Sequence, residues 1–361
     1  MEFSLTSTQK ELQDSINRAL TKVCPLERVR RYVDDRERFP SDVWQGLIDL
    51  GITGLMIPES YGGLGMGVLD AALVAESLGK FAVPSPFLSS VIMAPLAILQ
   101  AGTIDQQKQW LPNMATGQLR VGIALSEFTA GKRPGAGLIC RDKRLYGRSL
   151  FVMDEASAQH FIVVDDDAVL HMVDRNVSGL VVTALPTIDR TRSTVRLDFD
   201  GVTCIQLGQS NPQVALYLAD VARLMLAADM LGASSKMLEE AVNFAKLRQQ
   251  FGRPIGAFQA VKHLCAEMAA ELEPARSLVW YSGYALDEKL PDATLACLYA
   301  KSYLAEASRL VSRSATEVHG GMGITDVLGL HYWFKRNAWS YQALGSPERL
   351  RELAAELQTP S

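Results

Sequence analysis

Val214-Ala215-Leu216-Tyr217-Leu218-Ala219-Asp220-Val221-Ala222-Arg223 opens a stretch that keeps a helical period without a proline as far as Gln250. It is long enough for one helix of about ten turns. Phe251-Gly252-Arg253-Pro254-Ile255-Gly256 breaks it. Beyond the break, Phe258 to Glu288 predicts a second long helix, interrupted at Pro274, and Asp292 can cap a third that ends before Gly320-Gly321. A last helix opens at Ser346-Pro347-Glu348, where Ser is a natural cap and Pro suits the first helical position. Long helices joined by short breaks predict an antiparallel four-helix bundle over 209–361.

Upstream the period changes. Between 119 and 208 the apolar residues fall in short runs near period two: Val121 to Leu125, Leu145 to Met153, Phe161 to Val164, Val169 to Val173, Leu180 to Leu185 and Val195 to Phe199. Turn sequences such as Asp165-Asp166-Asp167 separate them, which predicts a small antiparallel sheet domain. Residues 1–118 return to helical spacing. Thr6 or Ser7 can cap a helix through Leu20, Ser41 opens another, and Leu69 to Gly79 and Val91 to Gly102 follow a turn-rich loop from Ile57 to Gly65. The expected fold class is α+β, mainly α: an N-terminal helical domain (1–118), a shortened middle β domain (119–208) and a C-terminal helical bundle (209–361).

The chain has 361 residues, 48% of them hydrophobic and 21% charged, and a formal net charge of −4. That balance supplies a large buried core and excludes a polybasic nucleic-acid binder. The cysteines, Cys24, Cys140, Cys204, Cys265 and Cys297, lie far apart and lack C-x-x-C spacing, so buried reduced thiols are expected and no metal site. The N-terminal segment has no basic stretch followed by an apolar core, and no apolar run approaches the roughly 20 residues of a membrane span. A cytoplasmic protein with neither nucleic-acid nor membrane partner is expected.

The linking sequences are more specific than the order of the domains. Pro58-Glu59-Ser60-Tyr61-Gly62-Gly63-Leu64-Gly65, Leu125-Ser126-Glu127, Asp220-Val221-Ala222-Arg223, Arg248-Gln249-Gln250-Phe251-Gly252 with Phe258-Gln259, and Val318-His319-Gly320-Gly321-Met322-Gly323 fall in the order of the acyl-CoA dehydrogenase family. Together they span nearly the whole chain, which resembles that family throughout. The resemblance implies the acyl-CoA dehydrogenase fold and a flavin enzyme that desaturates an acyl-CoA thioester between Cα and Cβ. In the family a carboxylate takes the α-proton and the β-hydrogen leaves as hydride to the flavin.

The family's FAD lies across a subunit interface, with its pyrophosphate and adenine end on the neighbour's bundle. The resemblance places Arg248, Gln250, Phe251, Gln259, Glu317, Gly320 and Gly321 in that bundle half. A guanidinium fork suits phosphate oxygens, and side-chain-free glycines let backbone N–H groups approach an anion. Glu317 is a departure, because the family usually has Gln there and a carboxylate repels pyrophosphate unless a cation compensates. The sheet-domain half departs further. After Ser126-Glu127 the family continues with Pro and then Ala-Gly-Ser-Asp, whereas here Phe128-Thr129-Ala130-Gly131-Lys132-Arg133 follows. Phe151-Val152-Met153 replaces the family's Trp-Ile-Ser/Thr, keeping bulk and losing the hydroxyl.

Both family positions for the catalytic base lack a carboxylate. The Tyr-Glu-Gly-Thr segment falls on Ala343-Leu344-Gly345-Ser346, which puts Leu344 at the base. The alternative position, immediately before Arg223, is Ala222. Asp326 and Glu348 are acids near the expected cleft at no family position, while Glu239, Glu240, Glu267, Glu271 and Glu273 read as solvated helix faces. His319 and His331 read as structural. The expected protein is thus a subunit of an acyl-CoA dehydrogenase that lacks its own base. It would lend the bundle half of an FAD site to a catalytic sister chain in an α2β2 assembly acting on an acyl-CoA, with a sterol side-chain CoA suggested by family analogy. A homomeric FAD enzyme with an unrecognised base and a cofactor-free assembly subunit stay open as alternatives.

Overall fold

The computed structural model describes residues 4–37, 39–130, 133–154 and 157–359. Its helices are α1 (Ser7–Val23), α2 (Leu26–Asp34), α3 (Ser41–Asp49), α4 (Val68–Lys80), α5 (Ala94–Ala101), α6 (Ile104–Ala115), α7 (Ser126–Ala130), α8 (Pro212–Leu247), α9 (Gln259–Asp287), α10 (Ala293–His319), α11 (Leu330–Gln342) and α12 (Pro347–Gln358). The main sheet holds β1 (Val121–Ala124), β2 (Gly137–Arg141), β3 (Arg144–Met153), β4 (His160–Val164), β5 (Leu170–Asp174), β6 (Leu180–Ala184), β7 (Thr194–Thr203) and β8 (Ile205–Gln206). The chain gathers into two compact units, one of residues 1–34, 72–83 and 224–361, the other of 35–71 and 84–223. Among the described residues no helix is long and apolar enough to cross a membrane.

The first unit is helical. Thr6 closes a reciprocal capping box with Gln9 at the start of α1, and the Ser346 hydroxyl accepts from the Arg349 N–H at the start of α12. Asp292 stands before α10 as expected, but its carboxylate accepts from the Tyr281 hydroxyl at 2.6 Å and makes no side-chain cap. The expected interruption at Pro274 does not occur, and α9 runs straight through it. An interior proline costs about 3 kcal/mol. Met268, Leu272, Ala275 and Val279 are buried on either side of it, and each large apolar side chain recovers about 1.5–3 kcal/mol.

Where α4 meets α8 the two backbones touch. A Cβ on Gly79 would collide with the Asp229 backbone, and one on Gly232 with the Glu76 carbonyl, so glycine is required at both places. Charged residues close around the crossing. Asp229 accepts both prongs of the Arg336 fork, at 2.9 and 2.6 Å, with both residues buried. Arg336 and Trp333 also donate to the Val83 and Lys80 carbonyls, fastening α11 to the end of α4. Glu76 takes Arg276 from α9 and Gln13 from α1.

The second unit packs helices against the sheet. The sheet runs β6-β7-β3-β1-β4-β5-β8, with β2 also on β3. It is antiparallel as expected except where β1 and β4 run parallel, pairing Val121 with His160 through Ala124 with Val163. Its core includes Phe161, Leu145, Val195 and Leu197. Two adjacent serines tie the preceding helical layer to the sheet. The Ser90 hydroxyl exchanges hydrogen bonds with the N–H and C=O of Val121, both at 3.0 Å, and Ser89 donates twice to Asp154.

Breaking the buried pair at the helix crossing has a definite expected size. Arg336→Ala leaves Asp229 without its main cation and should lower stability by about 3–5 kcal/mol. Arg349→Ala, which removes an exposed pair to Glu352, should change it by less than about 1 kcal/mol. Urea unfolding midpoints of the two variants against wild type check this.

Candidate functional site

The constellation on the bundle is built where α8 stops. Arg248 donates its N–H to Phe244, and Gln249–Gln250 pairs with Arg253–Pro254 in a two-stranded ladder. The turn between them places Phe251 at φ 53° and Gly252 at φ 73°. Two successive positive φ values suit the right-handed twist of a tight hairpin, but Phe pays strain of about 1 kcal/mol or more there. It is 90% exposed, and its ring makes a T-shaped pair with Phe258, with centroids 6.1 Å apart. Arg253 lies over Phe258 at 4.2 Å. Gln259 begins α9, whose cap Phe258 offers no side-chain acceptor, so the N–H groups of the first turn face outward.

The end of α10 lies against the same end of α8. Phe244 and His319 stack with ring centroids 4.6 Å apart, and Arg248 and Gly320 each follow that contact within about one turn. His319 donates from Nδ1 to the Ala315 carbonyl and is buried, a structural histidine as expected. Gly320, at φ 57° and ψ −142°, occupies a conformation that only glycine holds without strain. A Cβ at either Gly320 or Gly321 would meet none of the described residues within 4 Å, but Gly321 lacks the positive φ that calls for glycine at 320. Nothing among the described residues demands glycine at 321, whereas a group pressing on its backbone from outside would.

Arg248, Gln250, Phe251, Gln259, Glu317, Gly320 and Gly321 are all exposed. Around them Leu247, Met322, Ile324 and Val327 are exposed apolar side chains, at 81, 39, 76 and 70%. Such a patch marks a contact surface. A guanidinium, an uncapped helix start and bare glycine backbone suit a dinucleotide phosphate, and the exposed aromatic and aliphatic groups suit a partner surface beside it. Arg253 is a second cation in this group that motif reading did not single out, because the hairpin that returns it toward Phe258 leaves no periodic signal.

On the sheet side, the polar groups around Ser126-Glu127 are engaged within the chain. Glu127 accepts from the Ser149 hydroxyl and the Leu150 N–H, both at 2.8 Å. The Ser126 hydroxyl donates to the Phe151 carbonyl and the Thr129 hydroxyl to that of Leu125. Phe151 sits at a register shift in β3 with φ 53°, and Arg133 covers its ring at 4.9 Å. Gly131 and Lys132, within the replaced loop, lie outside the described residues.

Leu344 is buried at φ 59° between α11 and α12, and Ala222 is fully buried in α8. Arg223 forms a buried pair with Asp220 at 3.1 Å. Of the acids considered as substitutes, Glu348 has its carboxyl held below the usual range by its own backbone N–H and the Ser346 hydroxyl at the helix start, which makes it a weaker base. Glu239 is likewise lowered: burial raises it, and the Lys236 and Lys80 ammonium groups outweigh that. Asp326 is exposed and accepts from the Tyr332 hydroxyl. His331 is pushed toward the neutral form by burial and by Lys335.

Comparison with known proteins gives a consistent picture. Residues 6–118 match the family described as "Acyl-CoA dehydrogenase, N-terminal domain", and 213–358 match "Acyl-CoA dehydrogenase, C-terminal domain". The chain is 30% identical to acyl-CoA dehydrogenase IpdE2 of Mycolicibacterium smegmatis, over 98% of this chain and 100% of that one. Among solved structures it is similar to the ChsE4-ChsE5 complex from Mycobacterium tuberculosis, at TM-score 0.91 and 28% identity over 100% of both chains. It is similar also to the Tcur3481-Tcur3483 steroid ACAD G363A variant, at TM-score 0.89 and 29% identity over 97% of both. The chain therefore belongs to the acyl-CoA dehydrogenase family, flavin-dependent oxidoreductases acting on acyl-CoA.

Proposed function

We propose that the chain is the non-catalytic subunit of a cytoplasmic, heteromeric α2β2 acyl-CoA dehydrogenase acting on a CoA thioester with a sterol-derived acyl group. It lends one half of an FAD site to a catalytic sister chain and turns over no substrate in its own pocket. The observation that carries this reading is a contrast: the seven bundle-end residues, among them a glycine at 321 that no contact with the described residues requires, stand exposed, while both family base positions are buried and apolar.

In this reading each bundle-end group has a task. Arg248 forks onto pyrophosphate oxygens, the backbone of Gly320-Gly321 and the first turn of α9 supply N–H donors, and Gln259 adds a polar contact. Glu317, exposed in the last turn of α10, repels phosphate unless Arg248 or Arg253 offsets it, so its carboxylate turns outward or toward a guanidinium. Phe251 reaches into the sister chain. When bound, the flavin supplies hydride acceptance from the thioester Cβ. Proton abstraction from Cα needs a carboxylate that neither Leu344 nor Ala222 provides, so it falls to the sister chain. The engaged hydroxyls of Ser126 and Thr129 and the Arg133 lid over Phe151 support the loss of this chain's own flavin half. The names of two similar structures, a ChsE4-ChsE5 complex and a Tcur3481-Tcur3483 steroid ACAD, support both a sister chain and a steroid thioester.

Purified alone, the chain should hold well under one FAD per subunit, and co-expression with a dehydrogenase chain encoded beside it should restore the flavin spectrum. Stoichiometric FAD on the isolated chain would instead support a homomeric enzyme. Within the complex, Arg248→Ala should weaken FAD binding roughly ten- to a hundredfold, the loss of a charge-assisted pair of about 1.5–3 kcal/mol. Fluorescence titration of the apo complex with FAD measures it, and unchanged affinity removes Arg248 from the site. Leu344→Glu should restore no acyl-CoA dehydrogenation in a complex whose sister chain lacks its glutamate, because a flavin pocket is missing as well as a base. The acid would also be buried and tend to protonate. Flavin-dependent turnover on that substitution would show that the pocket survives.

A further inference from the structure

Three residues far apart in sequence converge in the sheet unit: Cys140 on β2, His171 on β5, and Cys204, the single residue between β7 and β8. Their ligand atoms all lie within 4.8 Å of one another. The Cys140 and Cys204 sulfurs are 3.9 Å apart, and Cys204 Sγ is 3.5 Å from His171 Nδ1. Two thiolates bound to one zinc-like ion at about 2.3 Å and a tetrahedral angle stand about 3.8 Å apart; a thiolate and an imidazole nitrogen bound at about 2.0–2.1 Å stand about 3.5 Å apart.

The histidine is set in the tautomer such a site requires. Asp165 accepts from the N–H groups of Asp167 and Val169 through Oδ1, and its Oδ2 lies 2.8 Å from His171 Nε2. A carboxylate held this way fixes the imidazole proton on Nε2 and leaves the Nδ1 lone pair directed at Cys204. That carboxylate–histidine arrangement is the one that orients metal-bound imidazoles. Asp165 and His171 are both buried, and Cys140 is half-buried, the ligand through which solvent reaches the group.

We infer that Cys140, Cys204 and His171, positioned by Asp165, form a binding site for a soft divalent cation of the zinc type. Binding replaces two S–H bonds with two metal–sulfur bonds and releases both thiol protons, so the site is neutral overall: a dication, two thiolates and a neutral imidazole. The ion is structural. It ties β2 and β5 to the point where the chain passes from β7, on one side of the sheet path, to β8, on the other, closing loops of more than thirty residues. Motif reading could not find it, because no two ligands are close in sequence.

The test is an anaerobic titration of the reduced, chelator-treated full chain with Co2+, followed by Zn2+. Expected are one equivalent of Co2+ with thiolate-to-cobalt charge-transfer absorption and intense tetrahedral d–d bands, displacement by Zn2+, and a higher melting temperature with Zn2+. Cys140→Ser should weaken Co2+ binding by about tenfold or more and reduce the charge-transfer band; Cys265→Ser, at a half-buried cysteine elsewhere, should change neither. Absence of the band in wild-type protein at stoichiometric Co2+ overturns the site whether or not the variants fold. An equal band in Cys140→Ser does so too.

Discussion

The helical unit hangs on the backbone-to-backbone approach of α4 and α8. Gly79 against Asp229 and Gly232 against Glu76 bring the two helices closer than any side chain allows. Such proximity places two acids at a crossing that excludes water, and each is neutralised by a different helix: Asp229 by Arg336 of α11, Glu76 by Arg276 of α9. A buried pair of this kind adds little net stability over a hydrophobic alternative, but it makes a misplaced helix expensive. Because α11 and α9 are positioned this way, α10 packs beside them and its C-terminal turn comes to rest against Phe244. The geometry of the exposed bundle end is in that sense inherited from two glycines.

The long helices were legible because their apolar period persists over many turns, and the caps at Thr6 and Ser346 because those residues satisfy N–H groups locally. Pro274 misled, since a local rule is weighed there against burial on both sides. The short helices α2 and α6 carry a weaker signal: Leu26–Asp34 spans only nine residues and buries an arginine with its apolar ones, and Ile104–Ala115 is largely polar and holds a proline. The parallel pairing of β1 with β4 is a matter of tertiary order, and an alternating pattern does not encode strand direction. The residues of the bundle end were readable through motifs at fixed spacing. Their neighbour Arg253 and the Cys140–His171–Cys204 trio were not, since both depend on where a turn or a sheet seam returns the chain.

The chain shows two opposite treatments of aromatic rings at strained backbone positions, one in a hairpin turn and one at a register shift in β3. Phe251 and Phe151 both adopt φ 53°. Phe251 is 90% exposed and has the Phe258 ring beside it. Phe151 is only 40% exposed and lies beneath Arg133. Backbone strain that persists without an internal reward is usually retained for a surface that forms on assembly. The two adjacent glycines differ in a related way: the positive φ of Gly320 calls for glycine, and Gly321 has no such φ.

The division of the chain also dictates an order of birth. The sheet unit is complete once residue 223 has been synthesised, whereas the helical unit needs residues 1–34 and 72–83 to meet 224–361. During translation the apolar face of α4 around Gly79, and the carboxylate of Glu76, must wait for α8, α9 and α11 to emerge from the ribosome. Contacts that bridge such distances carry a large loop-closure entropy and form late. For the interval, the nascent chain presents a finished sheet unit beside unsatisfied helices, the state in which chaperones and aggregation compete for exposed apolar surface.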